Sequence, residues 1–273
     1  MIVFSDLDGT FFDSHKRIPA LNAKAMDELA ARSIEFVPCS GRPLAGIVPE
    51  VLEHPSVHYA ISANGAAVTD VRTGMTLHRI DLGLERALAI YQLACNHDVT
   101  FDFFADGHDY MCREQYDRLA EFVDDPYVLA SMRTTRTPFD GDPVDFAYTL
   151  KHIERIAIYW RDPADRDTLE AQISQDESVA IVRSYDTNIE VSDVRASKGS
   201  ALTWLCDHLG IPVAEAVAFG DNINDISMIE AAGTGVAVAN AEPEVRAAAD
   251  VIAHSNDEAG VGRFVLEQLG ATL

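Results

Sequence analysis

Met1-Ile2-Val3-Phe4-Ser5-Asp6-Leu7-Asp8-Gly9-Thr10 is the stretch that decides the fold. An apolar run at 2–4 that stops at an acidic pair reads as a buried strand ending in a site, because open α/β sheets bind ligands outside the carboxyl ends of their strands. Side chains two residues apart on an extended chain leave on the same side, so the Asp6 and Asp8 carboxylates point together. Two anions that close repel unless a divalent cation joins them. With a cation bound, one carboxylate can attack phosphorus while the other handles protons, which is what displacement at a phosphate monoester requires. Gly9 lets the chain turn away. The competing reading is an Asp-Gly turn with an incidental second aspartate.

Outward from this strand, helices and strands alternate. A helix is expected over 21–31, a strand over 34–37, a helix over 44–52 and a strand over 59–62, together a parallel sheet covered by helices. Residues 67–80 read as a hairpin turning at Thr73-Gly74. Beyond Asp81 the character changes, with helices over 84–97, 114–123 and 164–173 and strands over 100–104, 110–112, 155–160, 179–183 and 188–191. Residues 124–152, rich in Pro, Asp and Thr, read as a loop with some helix. After Lys198 the first pattern resumes: a helix to Leu209, a strand over 216–219, a helix over 224–231, a strand over 235–238 and a closing helix from Val261. The expected organisation is one Rossmann-like α/β core, 1–81 and 188–273, interrupted by an α/β domain at 82–187, a size usual for an independent domain. Linkers near 81–84 and 184–188 would be its hinges.

Composition narrows the function classes. A chain of 273 residues, 48% hydrophobic, can bury a large core, and its net charge of −23 has the wrong sign for nucleic acid or an anionic membrane surface. Nowhere does an apolar run reach the ~18 residues of a membrane span. Cys39, Cys95, Cys112 and Cys206 form no CxxC pair, which speaks against a disulfide framework or zinc ribbon and for a reduced, cytoplasmic protein. There are four lysines, Lys16, Lys24, Lys151 and Lys198, and Lys198 stands out because it begins a helix beside a glycine.

Three further segments fall at strand ends. In Cys39-Ser40-Gly41-Arg42-Pro43, a hydroxyl and free backbone N–H groups precede a helix that starts at Pro43, which makes an anion site; Ser40 serves equally as an ordinary helix cap. Ser197-Lys198-Gly199 offers one ammonium to screen phosphate oxygens or the nucleophile, against the plain reading of a solvated lysine. Gly220-Asp221-Asn222-Ile223-Asn224-Asp225 offers a metal ligand and amides for phosphate, against that of a helix-capping loop. Singly these are weak. In order along one sheet, they supply a nucleophile, an acid/base, a phosphate clamp, a cation and a metal site.

The four segments resemble the motifs of the haloacid dehalogenase superfamily of phosphohydrolases, and Asn64-Gly65-Ala66, residues 220–228, Val238-Ala239-Asn240-Ala241 and residues 256–261 resemble its Cof-type branch, subclass IIB. The resemblance covers the core; the inserted domain agrees in position, between Ser40 and Lys198, where that branch carries a mixed α/β cap of the C2 type. It implies that Asp6 attacks phosphorus and Asp8 acts as acid and base, with Ser40, Gly41, Lys198 and Asn224 holding the phosphoryl oxygens. Magnesium would be held by Asp6, the backbone carbonyl of Asp8 and Asp221, with Asp225 supporting from behind. Arg42 and Asn64 are candidate substrate contacts. Asp8, where the family's ion pumps have threonine, favours hydrolysis over transport. The expected activity is hydrolysis of small phosphate monoesters, sugar phosphates first, by a monomer or weak homodimer with no nucleic-acid or membrane partner. A phosphomutase, or a non-catalytic phosphate-binding protein, remains as an alternative.

Overall fold

β1 (Ile2–Ser5) buries every residue, as a strand covered on both faces must. It opens a computed structural model that describes residues 1–183 and 187–272. There follow α1 (Ala20–Ala31), β2 (Phe36–Pro38), the single turn α2 (Pro49–Leu52), β3 (Tyr59–Ser62), β4 (Ala67–Asp70) and β5 (Met75–Arg79). Next come α3 (Leu84–Ala94), β6 (Asp102–Ala105), β7 (His108–Cys112), α4 (Arg113–Asp117), α5 (Pro126–Thr135), β8 (Arg136–Phe139), α6 (Pro143–Ala147), β9 (Ile153–Tyr159), α7 (Pro163–Ile173), β10 (Val179–Val182) and β11 (Asn188–Asp193). The chain closes with α8 (Lys198–Leu209), β12 (Ala216–Gly220), α9 (Ile226–Ala231), β13 (Thr234–Ala237), α10 (Pro243–Ala248), β14 (Val251–Ile252) and α11 (Gly260–Gln268).

Two units result: Met1–Gly41, Ile47–His78 and Ser197–Leu273 make the first, Arg42–Gly46 and Arg79–Ala196 the second. The first unit holds a parallel sheet in the order β14-β13-β12-β1-β2, so the chain runs outward from β1 to β2 and later returns to β1's other side as β12. On one face, Leu202, Leu205 and Met228 from α8 and α9 pack against Ile2, Phe4, Val37 and Ala218, each full burial of such a side chain being worth about 1.5–3 kcal/mol. α1 and α11 are joined through a buried amide, Asn22, which accepts from Gly262 N at 2.7 Å and donates to Phe11 O at 2.6 Å.

Two expectations for this unit change. β3 does not extend the parallel sheet: it folds straight back at residues 63–66 to pair antiparallel with β4, in a separate sheet β3-β4-β5, and keeps one parallel bridge, Cys39 to Ile61. The helix expected over 44–52 is broken, because Pro49 lacks the N–H and its ring crowds the preceding turn; a short turn at Leu44–Gly46 and α2 stand in its place.

The second unit is a six-stranded sheet ordered β10-β11-β9-β6-β7-β8, antiparallel except for the β7–β8 pair. Phe101, Phe103, Ile156, Ile158 and Val191 meet Ala87, Ile90 and Leu169 from the helices on one face. Residues 124–152 are more ordered than expected. Asp125-Pro126 and Asp142-Pro143 start α5 and α6, as Asp162-Pro163 starts α7; each aspartate accepts from the first free N–H groups and each proline occupies the position where an N–H is spare. β8, despite Pro138, is an edge strand, where a missing donor is tolerated.

The domain limits also move. β11, read from sequence among the strands of the inserted domain although the core was expected to resume at 188, lies between β9 and β10 in the six-stranded sheet, so the second unit runs to Ala196 and begins at Arg79 rather than at 82. Of the expected hinges, residues 184–186 of the one at 184–188 lie outside the described residues. At 81–84, Leu82 N and Gly83 N donate to Glu154 O (3.4 Å) and Ile153 O (3.1 Å) of β9.

Candidate active site

The chemistry gathers at the carboxyl ends of β12, β1 and β2. Ser5 is in register with Phe219 on one side and Pro38 on the other, so Asp6, Gly220-Asp221 and Cys39-Ser40 emerge at one level. Asp6 N donates to Phe219 O at 2.9 Å and Cys39 N to Ser5 O at 2.8 Å, which carries the ladder up to the site. β1 is where the chain reverses its outward course, the position at which open α/β sheets form a crevice. Gly9, at φ +91, turns the chain out; a Cβ there would lie 2.4 Å from Asp221 Oδ2, so the turn and the neighbouring acid fit only without a side chain.

Lys198 enters from the first turn of α8. Ser197 caps that helix, accepting from Ser200 N at 3.0 Å while its own N–H donates to Ser200 Oγ at 3.0 Å. The lysine is fully buried, and its Nζ lies 2.7 Å from Asp6 Oδ1 and 2.5 Å from Asp225 Oδ1. Burial works against its charge, but the Asp225 and Asp6 carboxylates outweigh that and hold its proton above the ordinary lysine range. Asp225 Oδ2 accepts from the N–H groups of Asp221 (2.9 Å) and Asn222 (3.0 Å), so this carboxylate braces the loop as well as the lysine.

Three acids converge here. Asp6, Asp221 and Asp225 each offer a carboxylate oxygen, all within 4.8 Å of one another. Burial above all pushes Asp6 well up, against the pull of Lys198 and with help from Asp225, Asp221 and Asp8. Asp221 is pushed up to about 7, by burial first and Asp225 next, although Thr10 Oγ1 donates to its Oδ1 at 2.6 Å. One ammonium against three clustered carboxylates leaves an excess of negative charge that a divalent cation would neutralise, and hard oxygen ligands suit such an ion. The residues therefore fit a metal. The carboxylate trio contains Asp225 in place of Asp8, whose expected contribution was its backbone carbonyl.

The Asp8 carboxylate, outside that trio, is paired with a lysine. Its Oδ1 is 2.8 Å from Lys16 Nζ, in a pair whose side chains are 21% and 43% exposed respectively. Lys16 sits at φ +60 in a turn tied by Asp13 Oδ1, which accepts from His15 N and Arg17 N, both at 2.9 Å. Ser40 is buried, donates its N–H to Ile61 O (2.9 Å) and accepts at its carbonyl from Asn64 N (3.1 Å); Gly41 follows it, half-buried. Asn224 Nδ2 donates to Asn64 Oδ1 at 3.0 Å, and Asn64 is only 5% exposed. Arg42 belongs to the second unit and donates to Gly46 O at 3.0 Å.

Three participants went unnoticed in the sequence. Thr10 orients Asp221, Lys16 pairs with Asp8, and Asn240 Nδ2 donates to Gly9 O at 2.8 Å. Lys16 is one of four lysines but lacks the adjoining glycine and helix start that single out Lys198, and its backbone is placed by a local turn that has no sequence period.

A family profile described as haloacid dehalogenase-like hydrolase matches residues 3–265. A putative phosphatase, YxeH, of Bacillus subtilis (strain 168) is 30% identical over 272 residues, 97% of each chain. The solved structure of a haloacid dehalogenase-like hydrolase from B. subtilis superposes with a TM-score of 0.82 at 28% identity, covering 97% of this chain and 98% of that one. A subclass IIB sugar phosphatase, BT4131, shares the fold at a TM-score of 0.81 and 21% identity over 98% of both chains. The chain belongs to the haloacid dehalogenase-like hydrolases. Its class of activity is that of the phosphoric monoester hydrolases.

Proposed function

We propose that this protein is a magnesium-dependent phosphatase that hydrolyses small phosphate monoesters, sugar phosphates first among them, by way of a phosphoryl group carried on Asp6. The observation that carries the proposal is the buried Lys198 ammonium, bonded to both Asp6 and Asp225 at the ends of neighbouring strands with Asp221 alongside. A structural ion pair does not need three acids, and a nucleophile must stay ionised beside an anionic substrate.

Asp6 attacks phosphorus in line; the P–O bond to the leaving alcohol breaks, and Asp8 gives that oxygen a proton. Asp8 then takes a proton from water as the water attacks the aspartyl phosphate, releasing inorganic phosphate and restoring Asp6. Ser40, the Gly41 N–H, Lys198 and Asn224 hold the phosphoryl oxygens. Asp6, the Asp8 carbonyl and Asp221 would hold magnesium, which when bound neutralises charge on the transferring group. Thr10 keeps Asp221 aimed, and Asp225 keeps both Lys198 and the Asp221 loop in place. Sugar phosphates are favoured by the likeness in fold to a sugar phosphatase. Four free cysteines, two of them buried, suit a cytoplasmic protein, acting as a monomer or weak homodimer.

The test is a panel of phosphate esters assayed for inorganic phosphate with magnesium and with a chelator. Release from sugar monoesters that stops with the chelator supports the proposal. Transfer of the phosphoryl group to a second sugar without release of phosphate would make the protein a mutase, and failure to turn over any ester or to bind a phosphate mimic would make it a binding protein.

A further inference from the structure

Three consecutive residues in the first unit adopt left-handed backbone: Ala63 at φ +50, Asn64 at φ +55 and Gly65 at φ +96. Two of them carry side chains, and all are buried. Such a run is strained and persists only where its surroundings hold it, which makes it a marker of a position that matters. The geometry points to Asn64 as a positioning residue for the phosphoryl site, which sets the Asn224 amide and the Ser40 loop without itself touching the substrate. This inference rests on the function proposed above and assigns Asn64 a different task from the substrate contact expected of it.

The turn at 63–65 reaches three segments distant in sequence. Asn64 N donates to Ser40 O at 3.1 Å, holding the loop that follows β2. Asn64 Oδ1 accepts from Asn224 Nδ2 at 3.0 Å, a bond between residues 160 apart in the chain. Gly65 lies flush against the start of α8, where a Cβ would stand 2.1 Å from Ser197 O, one residue before Lys198. One strained turn therefore meets the segments that carry Ser40, Lys198 and Asn224.

The orientation of the Asn224 amide is the informative detail. Its Oδ1 is buried with no hydrogen-bond partner among the described residues, an arrangement an amide avoids unless something fixes it. With the Asn64 side-chain oxygen facing it, Asn224 turned over alone would set its own oxygen against that acceptor. Held this way, Asn224 keeps a second N–H to donate, which suits an anion; the reverse amide would present a carbonyl to it. Asn64 is about 95% buried, so its effect on substrate passes through Asn224 and Ser40.

The test measures binding of inorganic phosphate in the presence of magnesium by calorimetry, for wild type, Asn64→Gly, Asn224→Ala and the double variant. Glycine accepts the left-handed backbone, so Asn64→Gly is expected to keep the circular dichroism spectrum while weakening phosphate about tenfold, the scale of one hydrogen bond to a charged group. The loss in Asn224→Ala should be similar, and the double variant should fall no more than about twofold below the weaker single one, because both changes act through the same amide. Unchanged phosphate affinity in Asn64→Gly, or losses that multiply in the double variant, overturns the inference while leaving the proposed function standing. Loss of the fold in Asn64→Gly would make the residue a keystone of the core alone and overturns it too. A wild type that binds no phosphate removes the proposed function and this inference with it.

Discussion

Lys198 Nζ lies 2.7 Å from Asp6 Oδ1, and both groups are buried: the lysine side chain is 0% exposed and the aspartate 10%. An ion pair so deep is strongly destabilising to break, because the surviving charge stays buried without its partner. Lys198→Met is expected to cost about 3–5 kcal/mol, a fall of roughly 6–20 °C in melting temperature at this chain length, and to abolish turnover. Adding Asp225→Asn to Lys198→Met should recover part of the loss in stability but none of the activity. Thermal melts of the two variants in chelator check this.

Gly9→Ala should act on the cation site. Its added Cβ overlaps Asp221 Oδ2, and φ +91 is unfavourable for alanine, so Asp221 must move away from Asp6. The expected result is a ten- to hundredfold weaker affinity for a divalent cation, of the size seen when support for a ligand is lost. Titration with manganese or magnesium followed by calorimetry measures it, and an unchanged affinity would separate Asp221 from the metal.

A pH dependence also resides in the second unit. Glu154 is buried, 3.4 Å from Arg79 Nε at its Oε1, and burial pushes its carboxyl up to about 7 against the pull of Arg79. Folding thus favours the protonated acid. Its contribution is complete below the ordinary glutamate range near 4.5 and is lost as pH rises through about 7, since the folded state binds the extra proton between those limits. Glu154→Gln carries no such proton. Its melting temperature should gain on that of wild type as pH rises from 5 to 8, and a gap that stays constant or moves the other way contradicts the assignment.

How much of this was legible in the sequence depended on whether a local pattern carried it. The apolar run at 2–4 and the acids after it mark β1 and Asp6 by local rules, and the glycine and helix start beside Lys198 mark that residue; the approach of Lys198 to Asp6 and Asp225 is a product of the fold. The Asp-Pro starts of α5 and α6 follow an equally local rule, missed because the surrounding composition resembles a loop. β3 was misjudged for a different reason: an apolar run of four residues has no period that tells a parallel strand from the first arm of a hairpin, and the turn at 63–65 decides the matter. Asp225, placed behind the metal ligands in the sequence reading, joins their cluster through the fold of one six-residue loop. Thr10, Lys16 and Asn240 act through distances that no spacing encodes.

The central claim is that Asp6 carries the phosphoryl group. Rapid quench of wild type with a phosphate ester that it turns over, then reduction with borohydride, converts an aspartyl phosphate into homoserine, which peptide mass spectrometry locates. Homoserine at position 6, absent without substrate and absent from Asp6→Asn, is the result expected. Steady release of phosphate with an unmodified residue 6, or with the label on another acid, would contradict the account.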